Sequence, residues 1–172
     1  MIIHGLSECC YVFGGKLKPL PAAVSLSLSP KITAEFDKRI RGGSKGIKYI
    51  RQGYDGSIEL GVMPRNFCQD IFGWESDDDG TMTESYFAAN SMTEFSLIYT
   101  AKGQREILWA CQAGQPEIKR KTDDKGIEVQ TVSIPIYARR DAQRRIRSTN
   151  SNVNSTAYKT FFGFKGDVTN GN

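Results

Sequence analysis

Between Ser57 and Gly73 the spacing of apolar residues changes from that of a strand to that of a helix. Ile58, Leu60 and Val62 alternate with Ser57, Glu59 and Gly61, the period of a half-buried strand. Pro64 suits the first turn of a helix, where its missing N–H is no loss. Phe67, Cys68, Ile71 and Phe72 follow at helical spacing, so Phe67, Ile71 and Phe72 are expected to pack over a core, and Gly73 reads as the stop. Glu75 to Gly80 is then an acidic turn into a further strand from Met82 to Ala88. No other segment shows a helical period. The chain is therefore predicted to be mainly β, an antiparallel sandwich or barrel with one short flanking helix over about Pro64–Phe72.

The remaining strands follow from alternation and turn residues. Tyr11 to Phe13 turns at Gly14-Gly15. Val24, Leu26 and Leu28 face one way against Ser25, Ser27 and Ser29, and Ile32, Ala34 and Phe36 resume the pattern after Pro30, as one long strand bulged at the proline. Phe95, Leu97 and Tyr99 share a face, Lys102-Gly103-Gln104 turns, and Ile107, Trp109 and Cys111 share the next. Asp123 to Gly126 is a further turn. The change of phase between Val129 and Val132 predicts a bulge near Gln130 or Thr131. Asn150 to Asn154 reads as a loop, and Ala157 to Phe164 as a last apolar segment.

Asp37 to Gly46 breaks this order with Lys38, Arg39, Arg41 and Lys45 among glycines, which predicts a long projecting basic loop. Gly43-Ser44-Lys45-Gly46 does not stand at the start of a helix, as a phosphate-cradling loop would require. At 172 residues, 39% apolar and 24% charged, the chain is expected to form one domain with its own core. No apolar run approaches the ~20 residues of a membrane helix. The Met-Ile-Ile-His-Gly start lacks a signal-peptide pattern, so a cytosolic origin is expected.

Chemistry finds little purchase in these residues. Cys9 and Cys10 are adjacent, no Cys-x-x-Cys occurs, and His4 is the one histidine, so reduced cysteines are expected. Glu75, Asp77 and Asp79 partly mimic a calcium loop, but Tyr86 stands where its bidentate glutamate belongs. No nucleophile elbow and no carboxylate pair in an apolar setting suggests an enzyme, and no metal or cofactor is expected. The densest basic run, Arg139 to Arg147, raises nucleic-acid binding as a hypothesis, but no aromatics interleave it.

The block Tyr54 to Trp74, with Ile32 to Asp37 before it and Thr131 to Asp141 after it, resembles the major tail proteins of long-tailed bacteriophages. The likeness spans about Gly5 to Phe164. It implies residues 1–172 as a single tail-tube domain with extended terminal arms, a structural virion protein made in the host cytoplasm. It implies a homo-hexameric ring stacked into a tube, with the tape-measure protein and phage DNA in the lumen and other tail proteins at its ends. Neither a cofactor nor a membrane is implied. Lys38, Arg39, Arg41 and Lys45 would then bridge subunits. A terminator or head–tail joining protein, and a basic β-barrel that binds nucleic acid, are the alternatives.

Charge adds one expectation to that resemblance. The net charge is +4, whereas family tubes often present an acidic lumen. Glu35, Glu59, Glu94, Glu106 and Glu128 fall on polar strand positions, while the basic residues gather in presumed loops at Lys38–Lys45, Lys119–Lys125 and Arg139–Arg147. Carboxylates repel a duplex, so Glu35 and Glu59 are the expected lumen residues, and basic loops are expected to pair with acidic turns such as Glu75–Asp79 between subunits.

Overall fold

A computed structural model describes residues 2–4, 6–37, 46–85, 93–122 and 128–163. In chain order they form β1 (Ile2–His4), β2 (Leu6–Phe13), β3 (Lys16–Pro19), β4 (Ala23–Asp37), β5 (Gly46–Leu60), α1 (Arg65–Phe72), β6 (Glu75–Ser76) and β7 (Met82–Thr83). Then come β8 (Glu94–Ala101), β9 (Gln104–Ala113), β10 (Glu117–Thr122), β11 (Glu128–Arg139), β12 (Arg147–Asn150) and α2 (Thr156–Lys159). Ten strands make one antiparallel sheet in the order β1-β4-β5-β11-β9-β8-β2-β3, with β10 on β11 and β12 on β9. The architecture is mainly β, as the alternation requires. It is not a closed barrel: among the described residues β1 pairs only with β4, and β3 only with β2.

Turn chemistry sets the register. Gly14 and Gly15 both take positive φ, 56° and 73°, which matches the strand twist in a two-residue hairpin. Lys102 and Gly103 do the same between β8 and β9. Gly56 permits close approach: a Cβ there would stand 1.8 Å from the Ser27 carbonyl oxygen.

One face of the sheet wraps a core of Tyr11, Leu26, Leu28, Ile58, Leu60, Phe95, Leu97, Leu108, Val132 and Ile134, among others. Helix α1 closes it. Pro64 occupies the N-cap position, one residue before the expected first turn, and Gly73 ends the helix in the left-handed region. Trp74 N–H bonds back to the Cys68 carbonyl at 3.2 Å. Phe67, Cys68, Ile71 and Phe72 are all buried, and Phe67 meets Tyr11, Phe72 and Phe95 edge-on. On the polar side Asp70 accepts from the Tyr11 hydroxyl at 2.7 Å and pairs with Lys18 at 2.6 Å, which ties α1 to the β2–β3 hairpin.

Several sequence expectations are corrected. Val24 is 51% exposed because the register shifts between Ala23 and Ser25, turning it away from Leu26 and Leu28. A shift opposite Phe95–Leu97 gives β9 an extra residue, so Cys111 joins Leu108 in the core while Trp109 stays outside it. The bulge expected near Gln130 or Thr131 is absent: both pair in regular register with β10. The phase change there marks the place where β11 leaves β5 and continues with β10 alone. Lys119 lies in β10 and not in a loop. A second helix, α2, was not legible, because four residues are too few to show a period. It is capped by Ser155 Oγ, which accepts from Tyr158 N–H at 3.0 Å. Cys9 and Cys10 are half-buried, in contrast to the buried Cys68 and Cys111. Asp123 to Gly126 lies outside the described residues, as does the part of the Met82–Ala88 segment after Ser85.

Candidate assembly surface

Strands β4 and β5 pair over their full lengths, from Ala23 opposite Leu60 to Asp37 opposite Gly46. The expected irregularity beside Pro30 is present as a register shift between Lys31 and Ile32, and Gln52 is the extra residue on β5. Because that residue belongs to β5, the alternation of β4 continues without interruption. Ser25, Ser27, Ser29, Lys31, Thr33 and Glu35 occupy one face, and Leu26, Leu28, Pro30, Ile32 and Ala34 the other.

The two faces have different fates. Leu26 and Leu28 are buried under the core, but the same face runs on past it. There Ile32, Ile47 and Tyr49 are 48%, 49% and 69% exposed. Ala34 stands opposite Tyr49 in the register, so these side chains form a continuous apolar stripe. The other face is polar on β4 and β5, with Ser25 opposite Glu59, Ser27 opposite Ser57 and Ser29 opposite Asp55, and continues on β11 as Ser133, Pro135 and Tyr137. Glu35 and Glu59 share this face. Glu59 Oε2 accepts the Ser25 hydroxyl at 2.7 Å, and Glu35 faces Lys48 in the register. Lys31 and Lys48 therefore correct the expectation that strand faces carry no cations. Lys38, Arg39, Arg41 and Lys45 lie outside the described residues.

A second feature sits where β5, β9 and β12 meet. A cleft of about 560 Å³ is lined by Arg51, Tyr54, Gln104 and the run Arg144 to Thr149. The turn before β12 shapes it. Asp141 accepts Arg145 N–H at 2.6 Å and Arg145 Nε at 2.8 Å, while its carbonyl takes Arg144 N–H at 2.9 Å. That closure holds Arg144 at φ 63° on the turn's crest. Arg145 stacks over Trp109, 3.6 Å from the ring centroid.

Beneath the cleft lies a buried polar network. Glu106 is 3% exposed and is thus removed from any solvent-facing role. Its Oε2 accepts the Tyr99 hydroxyl at 2.7 Å and stands 2.7 Å from Arg147 Nε. Burial, and then the bond to Glu106, push the Tyr99 phenol well above its ordinary range. For Arg147, burial works toward a lower value, but the bonds to Glu106 and Tyr54 outweigh it, so the guanidinium is held charged.

Of the five arginines between Arg139 and Arg147, three are paired within the chain: Arg139 with Asp55, Arg145 with Asp141 and Arg147 with Glu106. Arg51 and Arg144 form no ion pair among the described residues. The density of that run was visible in the sequence; its internal pairing was not. No signal marked Arg51, which reads as an ordinary strand residue. Among the described residues no group of three His, Cys, Asp or Glu side chains is placed to hold a metal.

No protein-family model matches the chain, and no curated protein does. Similarity to solved structures is found. A chain of the sheath–tube complex of the extracellular contractile injection system PVC, in its extended state, is 11% identical over 86% of this chain and 90% of that one, with a TM-score of 0.45. A chain of the tube-terminating cap of the anti-feeding prophage is 11% identical over 86% and 90%, with a TM-score of 0.44. Hcp1 of Flavobacterium johnsoniae is 11% identical over 84% and 96%, with a TM-score of 0.36.

Proposed function

We propose that this chain is a structural tube protein, the repeating unit of a phage-like tail tube that assembles as stacked hexameric rings and serves as a conduit for DNA ejection. The observation that carries the proposal is the apolar stripe of Ile32, Ala34, Ile47 and Tyr49. It continues the core face of β4 and β5 beyond the described residues that cover that face. An apolar stripe on one face of a long paired hairpin, exposed to water, invites association, and a neighbouring copy would bury it.

The opposite face supports the same reading. Ser27, Ser29, Ser57, Glu59 and Glu35 make this surface largely polar beside Lys31, Lys48 and Tyr137, and we read it as the face that lines a lumen. Lys38, Arg39, Arg41 and Lys45, in the sequence between β4 and β5, would bridge to an adjacent subunit. Direct nucleic-acid binding gains less support from Arg139–Arg147, since Asp55, Asp141 and Glu106 already neutralise three of its arginines. The role is structural and not catalytic.

Electron microscopy of the purified chain tests this reading. Hollow tubes built of six-fold rings are expected, with the β4–β5 polar face inward. Monomers over a wide range of concentration and salt would overturn it, and a lumen lined by Arg139–Arg147 would overturn the charge assignment.

A further inference from the structure

The cleft between β5 and β12 has the charge of an anion site. Its rim carries two guanidiniums with no carboxylate partner among the described residues, Arg51 and Arg144. Arg51 is placed by its bond to the Tyr54 hydroxyl at 3.2 Å, and Arg144 by the closed turn on Asp141. The Arg51 guanidinium is therefore held before anything binds, and the Arg144 backbone is fixed on the turn, which lowers the ordering entropy lost on binding.

The matching anion is on the same chain. In the turn between β6 and β7, Asp77 accepts Thr81 N–H at 2.7 Å on its side chain, and its carbonyl takes Gly80 N–H at 3.2 Å. Arg65 bonds the Gly80 carbonyl and fastens the turn to α1. Asp78 and Asp79 stand exposed at its tip and form no ion pair among the described residues.

Among the described residues these two features do not pair with each other within one molecule. Helix α1 and its turn follow the Leu60 end of β5, whereas Arg51 lies nine residues back, ~30 Å along an extended strand. Complementary patches at separate places on one chain make a head-to-tail contact, the kind that closes rings or stacks them. We propose that the Arg51–Arg144 cleft receives the Asp78–Asp79 carboxylates of a second copy of this chain. The inference rests on the tube reading and names a contact within it. A cleft lined by Tyr54 and Ile146, with two guanidiniums that have no carboxylate partner among the described residues, suits a pair of adjacent carboxylates on a tight turn. A nucleic-acid backbone would instead need a row of unpaired cations.

Charge exchange tests it by sedimentation velocity and microscopy. Arg51→Glu with Arg144→Glu should raise the concentration needed for assembly at least about tenfold, and Asp78→Lys with Asp79→Lys should do the same. All four exchanges in one chain should restore assembly to within about threefold of the parent. Circular dichroism should show every variant folded, since these side chains are exposed. If the arginine variant assembles like the parent, or the fourfold exchange restores nothing, the contact is overturned while the tube reading stands. If the arginine variant instead loses binding to a fluorescent duplex and still assembles, the cleft is a nucleic-acid site and the inference falls. A parent chain that never assembles overturns the tube reading, and the contact with it.

Discussion

Arg147 Nε stands 2.7 Å from Glu106 Oε2, and the Tyr99 hydroxyl donates to that same oxygen, so one buried carboxylate joins β8, β9 and β12. Removing its charge leaves Arg147 partly buried with no anion beside it. Glu106→Gln is expected to destabilise the chain by ~3 kcal/mol, the usual consequence of breaking such a pair from one side. Glu106→Gln with Arg147→Met should recover much of that loss. Thermal unfolding of the single and double variants checks this, and equal losses in both would show that the pair is not coupled.

Phe67 is the point where α1, β2 and β8 converge, touching Tyr11, Phe72 and Phe95 edge-on. Phe67→Ala should cost ~3–5 kcal/mol and lower Tm by about 10 °C. Val62→Ala, at an exposed position beside the same helix, is the control and should change Tm little. Scanning calorimetry separates the two.

The exposed stripe of β4 and β5 gives the opposite signature. Ile47→Ser with Tyr49→Ser removes apolar surface that no described part of the chain covers, so the monomer's Tm should move by less than about 2 °C. Assembly should be lost. Tubes of normal appearance from this variant would mean the stripe is not an interface.

Two buried thiols predict an alkaline limit. Burial pushes Cys68 from 9.0 up to about 11, and Cys111 up to about 12. Folding thus favours the neutral thiol, while the unfolded chain ionises near pH 9.0. The stability this gives is present in full below pH 9.0 and is lost as pH rises through the folded values. Tm should decline between pH 9.0 and 12 through this contribution. At pH ~8 iodoacetamide should spare both residues in the native chain and alkylate them in urea. Rapid native labelling of Cys111 would show that its shell opens.

The sequence by itself determined the elements whose cause is local. Gly14-Gly15 and Gly103 specify tight turns by their conformational freedom, and Phe67, Cys68, Ile71 and Phe72 specify α1 by their spacing. The serines of β4 already marked its polar face, and the pairing of β4 with β5 then put Glu35 and Glu59 on one face. Tertiary structure alone decided what depends on partners. Val24 and Cys111 changed faces because register shifts on pairing moved them, which no single strand's alternation reveals. Glu106 reads as one more polar strand residue until Tyr99 and Arg147 are brought to it from other strands. Arg51 and Arg144 are 93 positions apart, and only the joining of β5 to β9 and β12 through β11 places them on one cleft. Alternation encodes which side of a strand meets water, but long-range pairing decides which charges are neutralised and which are left to meet a partner.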